Sequence, residues 1–253
     1  MKVLTEKQGN VFVVTIDRAD ARNAIDNETA QLLYDAFTSF EDDTDLRVAV
    51  LYGEGGHFCA GADLKALSSG VFNRLDPEGS APLGPTRLRL SKPVIAAVSG
   101  YAVAGGLELA IWCDMRIVEK SAVFGVFCRR WGVPLIDGGT VRLARIIGQG
   151  RTLDMVLTGR PVGAEEAFQI GLANRVVPDG KVLESAIELA EEISRHPQTC
   201  MRNDRLSMYE SFDLPYNDAM KNEFKRGMDS INSGELLDGV NRYKTGEGRH
   251  GKF

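Results

Sequence analysis

Two segments of small residues constrain this chain more than any other feature. The first is His57-Phe58-Cys59-Ala60-Gly61-Ala62-Asp63-Leu64-Lys65; the second is Ser99-Gly100-Tyr101-Ala102-Val103-Ala104-Gly105-Gly106-Leu107-Glu108-Leu109. Each follows a β-branched, strand-like run, at residues 48–52 and 94–98, and puts small residues where a strand gives way to a helix. Such residues let a ligand approach bare backbone N–H groups. Two such turns side by side could present two donors to one oxygen atom, the arrangement of an oxyanion hole. Glu108, the only carboxylate of the second segment, stands at the start of the helix.

The 253 residues suit one large domain, or one domain with a small extension, and an apolar content of 43% is enough to bury a substantial core. A formal net charge of −5 argues against a sequence-independent nucleic-acid surface, which needs a basic excess. No basic–apolar–small-residue leader opens at Met1, and no apolar run approaches the roughly twenty residues of a membrane span. A soluble, cytoplasmic protein without a membrane partner is the expectation. Cys59, Cys113, Cys128 and Cys200 lack C-x-x-C spacing and read as small buried hydrophobes rather than a zinc knuckle or disulfide framework. His57, His196 and His250 are isolated, so no metal site is expected.

Residues 3–7 and 11–16 read as a hairpin turned at Gln8-Gly9-Asn10. Asp26 is an N-cap for a helix reaching about Phe40, with Leu32, Leu33, Ala36, Phe37 and Phe40 on one face. Strands follow at 48–52, 93–99, 115–118, 122–124 and 173–177; helices at 64–68, 106–113, 138–147, 151–157, 164–170 and 181–196. Residues 69–85, rich in Gly, Pro and Ser, read as a mobile loop. The first half thus alternates strand and helix and the remainder is mostly helical, an α/β pattern with a recurring strand–turn–helix unit. The organisation is a core over 1–195 and a helical extension over 196–253. The extension's apolar faces have too little sequence for a core of their own, and extensions of this kind often bury them on a neighbouring subunit.

Several familiar motifs fail. Gly53-Glu54-Gly55-Gly56 begins a dinucleotide fingerprint, but Phe58 occupies the place of the third glycine. There is no G-x-x-x-x-G-K-[ST], and Ser99-Gly100 lacks the upstream glycine of a nucleophile elbow.

Other segments fit a family together. These are Arg18-Ala19-Asp20-Ala21-Arg22-Asn23-Ala24-Ile25, Phe58 to Lys65, Gly100 to Glu108, Phe124-Gly125, Gly138-Gly139-Thr140 with Arg142-Leu143, Leu157-Thr158-Gly159-Arg160, Ala164-Glu165-Glu166-Ala167, Gly171-Leu172 and Val176-Val177. In order and spacing they resemble the crotonase (enoyl-CoA hydratase/isomerase) superfamily, from about residue 3 to 195. The resemblance implies a crotonase-like spiral of ββα units with a C-terminal helical trimerisation region, assembled as a homotrimer or dimer of trimers. It implies an acyl-CoA thioester substrate, with coenzyme A as part of the substrate and no separate cofactor. Ala62 and Gly105 would offer their N–H groups to the thioester carbonyl, each donor worth about 3 kcal/mol as an enolate forms. Ala21, Arg22, Ala60, Asp63, Leu64 and Lys65 would meet CoA, with Arg22 and Lys65 as charge-assisted donors to phosphate or as ordinary surface charges.

One departure bears on the chemistry. Family hydratases use two glutamates; Glu108 matches the first, but the second position, four residues beyond Phe124, is Cys128. A thiol is mostly neutral near pH 7 in apolar surroundings and replaces a carboxylate poorly. Asp137, just before Gly138-Gly139, is the nearest substitute and also a candidate N-cap; a catalytic role and a capping role are both open and compatible. Arg129 and Arg130 flank Cys128 and would either hold a polar acyl group or form salt bridges elsewhere. The leading reading is an enoyl-CoA hydratase of fatty acid metabolism with an atypical acid–base set, Glu108 as general base and Asp137 or a water as second group. The alternatives are another reaction of the superfamily (isomerisation, hydrolysis or decarboxylation) and an acyl-CoA binding protein with little turnover.

Overall fold

The computed structural model describes residues 1–246. β1 (Val3–Gln8) and β2 (Val11–Ile16) form the expected hairpin, turned through Gly9 at φ +58°. α1 (Asn27–Asp42) starts at Asp26, whose carboxylate accepts the Thr29 N–H at 2.9 Å and caps the helix. Its buried stripe, Leu33, Phe37 and Phe40, recurs at helical spacing. Phe37 meets the Trp112 ring edge-on with centroids 4.8 Å apart, and Phe40 stacks on Phe12 at 5.9 Å.

The chain continues through β3 (Val48–Gly53), α2 (Leu64–Ser68), β4 (Val94–Val98), β5 (Tyr101–Val103), α3 (Gly105–Trp112), β6 (Met115–Glu119), β7 (Val123–Gly125), α4 (Gly139–Ile147), α5 (Gln149–Thr158), β8 (Val162–Gly163), α6 (Ala164–Gln169), β9 (Arg175–Val177) and α7 (Val182–Ser194). The strands sort into a six-stranded sheet, β1-β2-β3-β4-β6-β9, and a three-stranded sheet, β5-β7-β8. Pairing in the large sheet is parallel apart from the opening hairpin. β4 is buried along its whole length, as a parallel strand covered on both faces must be, which explains its uninterrupted Val-Ile-Ala-Ala-Val. After β4 the chain bends at Gly100, φ +46°, and enters the small sheet as β5 before starting α3. β6 and β7 repeat the step, followed by a 3-10 turn at Phe127–Trp131 and α4. These are the ββα units of the spiral.

The structure corrects two expectations. Residues 69–85 are not uniformly mobile loop: residues 81–86 are buried, and so is Asn73. The Asn73 amide donates to the carbonyls of Ile25 at 3.1 Å and Pro82 at 2.8 Å, tying the loop to the core. Glycine and proline content marks the absence of a ladder but not the presence of such long-range anchors. Cys200 is exposed rather than buried, in the first turn of α8 (Gln198–Ser211).

The chain divides into two compact units, Met1–Glu191 and the residues from Glu192 onward. The second holds α8, α9 (Tyr216–Asn232) and α10 (Glu235–Thr245). Within it, Glu235 accepts the N–H groups of Thr199 and Cys200, both at 2.9 Å, and Glu210 pairs with Arg226. Phe212, Tyr216, Phe224 and Leu237 are exposed there. No described helix is long and apolar enough to cross a membrane.

Candidate active site

The two small-residue segments come together at Gly61 and Gly105. A Cβ built on Gly61 (φ +93°) would stand 2.8 Å from the Gly105 nitrogen, so only glycine permits the approach. Between them, Ala104 holds φ +54° and ψ −125°, a conformation that costs an L-residue about 1–3 kcal/mol. The contacts that hold it are the Ala104 N–H on the Gly125 carbonyl at 2.8 Å and the Leu107 and Glu108 N–H groups on the Ala104 carbonyl. The result leaves the Gly105 N–H at the mouth of α3 without an acceptor among the described residues, and the same is true of the Ala62 N–H. Both donors therefore remain available to a ligand oxygen, with the positive end of α3 behind one of them.

Glu108 lies in the first turn of α3 and is only 2% exposed. Its Oε1 accepts the N–H groups of Asp137 at 2.9 Å and Gly139 at 2.8 Å. Both of these bonds go to Oε1, and Oε2 accepts none from the described residues. Burial pushes the carboxyl pKa up to about 7, opposed by the Gly139 N–H and raised further by Asp137. Gly139 is required for the fit, because a Cβ there would stand 2.9 Å from both Cγ and Oε1 of Glu108. One oxygen is thus fixed, the other is free, and the group is poised to take or give a proton near neutral pH.

Asp137 is not the helix cap: Gly138 occupies the N-cap of α4, with no side-chain bond. The Asp137 carboxylate turns instead to residues 81–86, where Oδ1 accepts the Leu83 N–H at 3.0 Å and the Thr86 hydroxyl at 2.5 Å. Burial raises its pKa above the ordinary aspartate range. Cys128 is buried within electrostatic reach of Glu108; burial first, and the Glu108 charge second, push its thiol pKa up. The thiol is therefore neutral near pH 7.

The segments read as CoA contacts also meet. The Ala60 N–H donates to the Arg22 carbonyl at 3.0 Å, and Ile25 and Gly61 are joined at 2.8 Å. Ala21 and Ala60 are half-buried, while Arg22, Leu64 and Lys65 are exposed. Asp63 is buried and its carboxylate is committed. Oδ1 caps α2 through the N–H groups of Lys65 and Ala66, and Oδ2 pairs with Arg18 at 2.8 Å. Its side chain therefore supports the turn, leaving backbone for any ligand.

Comparison with known proteins shows the family. The enoyl-CoA hydratase/isomerase family model matches residues 6–250. The chain belongs to the enoyl-CoA hydratase/isomerase family. It is 37% identical over 243 residues to enoyl-CoA hydratase EchA19 of Mycobacterium tuberculosis, covering 93% of this chain and 91% of that protein. It is 40% identical over 190 residues to carnitinyl-CoA dehydratase of Escherichia coli, covering 74% and 72%. The crystal structure of enoyl-CoA hydratase EchA1 from Mycobacterium marinum superposes with a TM-score of 0.91 at 31% identity, over 96% of each chain.

The arginines beside Cys128 turn away to other partners. Arg129 donates to the Val156 carbonyl at 3.0 Å; Arg130 lies over the Phe127 ring at 4.2 Å and reaches the Gly159 carbonyl at 3.5 Å. Both are exposed, and their partners are carbonyls and a ring rather than the anticipated acids. Sequence reasoning missed Leu83, Thr86 and Arg142 as parts of the site. Arg142 donates to the carbonyls of Asp137 at 2.8 Å and Thr86 at 2.5 Å. No local pattern marks Leu83 or Thr86; their roles exist only because a distant loop folds back.

Proposed function

We propose that this chain adds water across the double bond of a 2-enoyl-CoA, and catalyses the reverse dehydration, with Glu108 as the one carboxylate that moves protons. The observation that carries the proposal is the state of Glu108: buried, fixed at Oε1, free at Oε2 and with a pKa of about 7. In the scheme, Oε2 takes a proton from water as its oxygen bonds to C3. The electron pair of the double bond moves toward the thioester, and the resulting enolate oxygen rests on the Ala62 and Gly105 N–H groups. Protonated Glu108 then returns the proton to C2 on the same face, which gives syn addition and restores the carboxylate. Cys128, held neutral, takes no part in proton transfer. Asp137 enters through its N–H on Oε1 rather than as a second acid.

Arg22 and Lys65 supply cations for the CoA phosphates, and the backbone at Ala21, Ala60, Asp63 and Leu64 supplies the rest of that contact. Exposed Phe212, Tyr216, Phe224 and Leu237 support assembly as a homotrimer or dimer of trimers. A cytoplasmic location goes with this substrate. A pure acyl-CoA binding role is disfavoured, because binding alone gives no reason to hold a carboxylate with a pKa of about 7, fixed at one oxygen and unbonded at the other.

The test is loss of the conjugated absorbance of crotonyl-CoA and longer enoyl-CoAs. No loss above background at any chain length rejects the hydratase reading. Glu108→Gln should abolish turnover while sparing CoA-thioester binding.

A further inference from the structure

We infer that Asp137 is a positioning residue that ties the base Glu108 to the buried 81–86 segment roofing Gly105, so that proton transfer and oxyanion donation keep one common geometry. The inference rests on the reading of Glu108 given above. The backbone N–H of Asp137 holds Glu108 Oε1 at 2.9 Å. On the same residue, Oδ1 holds the Leu83 N–H at 3.0 Å and the Thr86 hydroxyl at 2.5 Å. Leu83 in turn lies against the donor, its Cδ1 2.6 Å from where a Cβ on Gly105 would stand. Arg142 closes the arrangement by donating from Nη1 to the Asp137 carbonyl and from Nη2 to the Thr86 carbonyl. Base, roof and donor are thus joined through one residue that is far from all three in sequence.

The chemistry of these contacts is acceptance, not proton donation. Oδ1 receives an N–H and an O–H, and an amide oxygen of the same shape can receive both. Removing the acceptor leaves the Leu83 N–H and Thr86 hydroxyl buried and unpaired, which forces the segment to move. A displacement near 1 Å at a reacting group costs on the order of 100-fold in rate.

The experiment compares full-length wild type, Asp137→Asn, Asp137→Ala and Thr86→Val in steady-state hydration of crotonyl-CoA, alongside amide hydrogen exchange at Leu83 and Gly139. Asp137→Ala should lower kcat roughly 10- to 100-fold with KM changed less than about threefold, because the loss is of alignment rather than of ground-state binding. Asp137→Asn should recover most of that kcat and restore slow exchange at Leu83. Thr86→Val, which removes one of the two donors, should fall between. Asp137→Asn as damaging as Asp137→Ala, with exchange unchanged, would overturn the inference in favour of proton transfer by the carboxyl. Wild-type kcat and exchange in Asp137→Ala would overturn it in favour of no role. If Asp137→Ala does not fold, Thr86→Val decides, and unchanged kcat and exchange there reject the tie. If the wild type hydrates no enoyl-CoA, the hydratase reading fails separately, and the exchange comparison still decides whether Asp137 holds the segment.

Discussion

Glu108→Gln should stabilise this protein at mildly alkaline pH while removing its turnover. Burial raises the Glu108 pKa from an ordinary 4.5 to about 7. At about 1.4 kcal/mol per pH unit, that gap corresponds to about 3 kcal/mol between the charged and neutral forms of the folded protein. Below about pH 4.5 the carboxyl is protonated in folded and unfolded chains alike and carries no penalty. Between about 4.5 and 7 the unfolded chain has released the proton that the folded chain retains, so stability falls as pH rises. Above about 7 the whole loss is present. Glutamine keeps an oxygen for the Asp137 and Gly139 N–H groups and never ionises. The difference between variant and wild type should therefore be near zero at about pH 4.5 and rise toward about 3 kcal/mol at about pH 8, an upper bound because the amide also loses solvation. Urea unfolding of both proteins at one protein concentration across this range measures it. Other carboxylates, such as Asp26 with a pKa lowered to about 2, contribute equally to both and cancel. Parallel stability curves with a constant offset would refute the argument, since they would mean that the fold does not hold Glu108 protonated.

The same group should govern the rate: kcat for hydration should fall as pH drops below about 7, because Oε2 must be unprotonated to take the proton of water, and a flat acid limb would remove Glu108 as base. Gly139→Ala should displace Glu108, given 2.9 Å from the new Cβ to Oε1, and cost about 1–3 kcal/mol of stability together with a rate loss on the order of 100-fold; thermal melts and kcat at saturating substrate check both. Cys128→Ala should keep kcat within about threefold, since a neutral buried thiol moves no proton, and a loss above about 100-fold in the same assay would assign it one.

Much of the fold was legible because it is written locally. The Asp26 cap with Thr29 three residues on, the turn at Gly9, and the helically spaced stripe Leu33, Phe37 and Phe40 are signals read from short stretches of chain. The apolar run of β4 reads as a buried strand for the same reason, and the structure buries it along its whole length. β5 and β8 were not legible, being three and two residues long and defined by partners in other segments. The 69–85 segment misled in the same way: its composition is that of a loop, while its order comes from Asn73, Leu83 and Thr86 meeting residues far along the chain.

The sequence by itself determined which segments supply bare backbone and where Glu108 stands beside them. Small residues at two strand–helix junctions, with Glu108 one turn beyond Gly105, can be read without coordinates, because glycine's freedom and helical spacing are properties of the local chain. Through its family resemblance it also drew attention to Cys128, which the fold buries within electrostatic reach of Glu108. What only the tertiary structure decided is the state of the groups. The pKa of Glu108 depends on how much water the surrounding fold removes and on two N–H groups about thirty residues away, with Asp137 set against 81–86 and not at the end of α4. Residue identity fixes which proton a side chain can carry; the packing around it fixes the pH at which it lets that proton go.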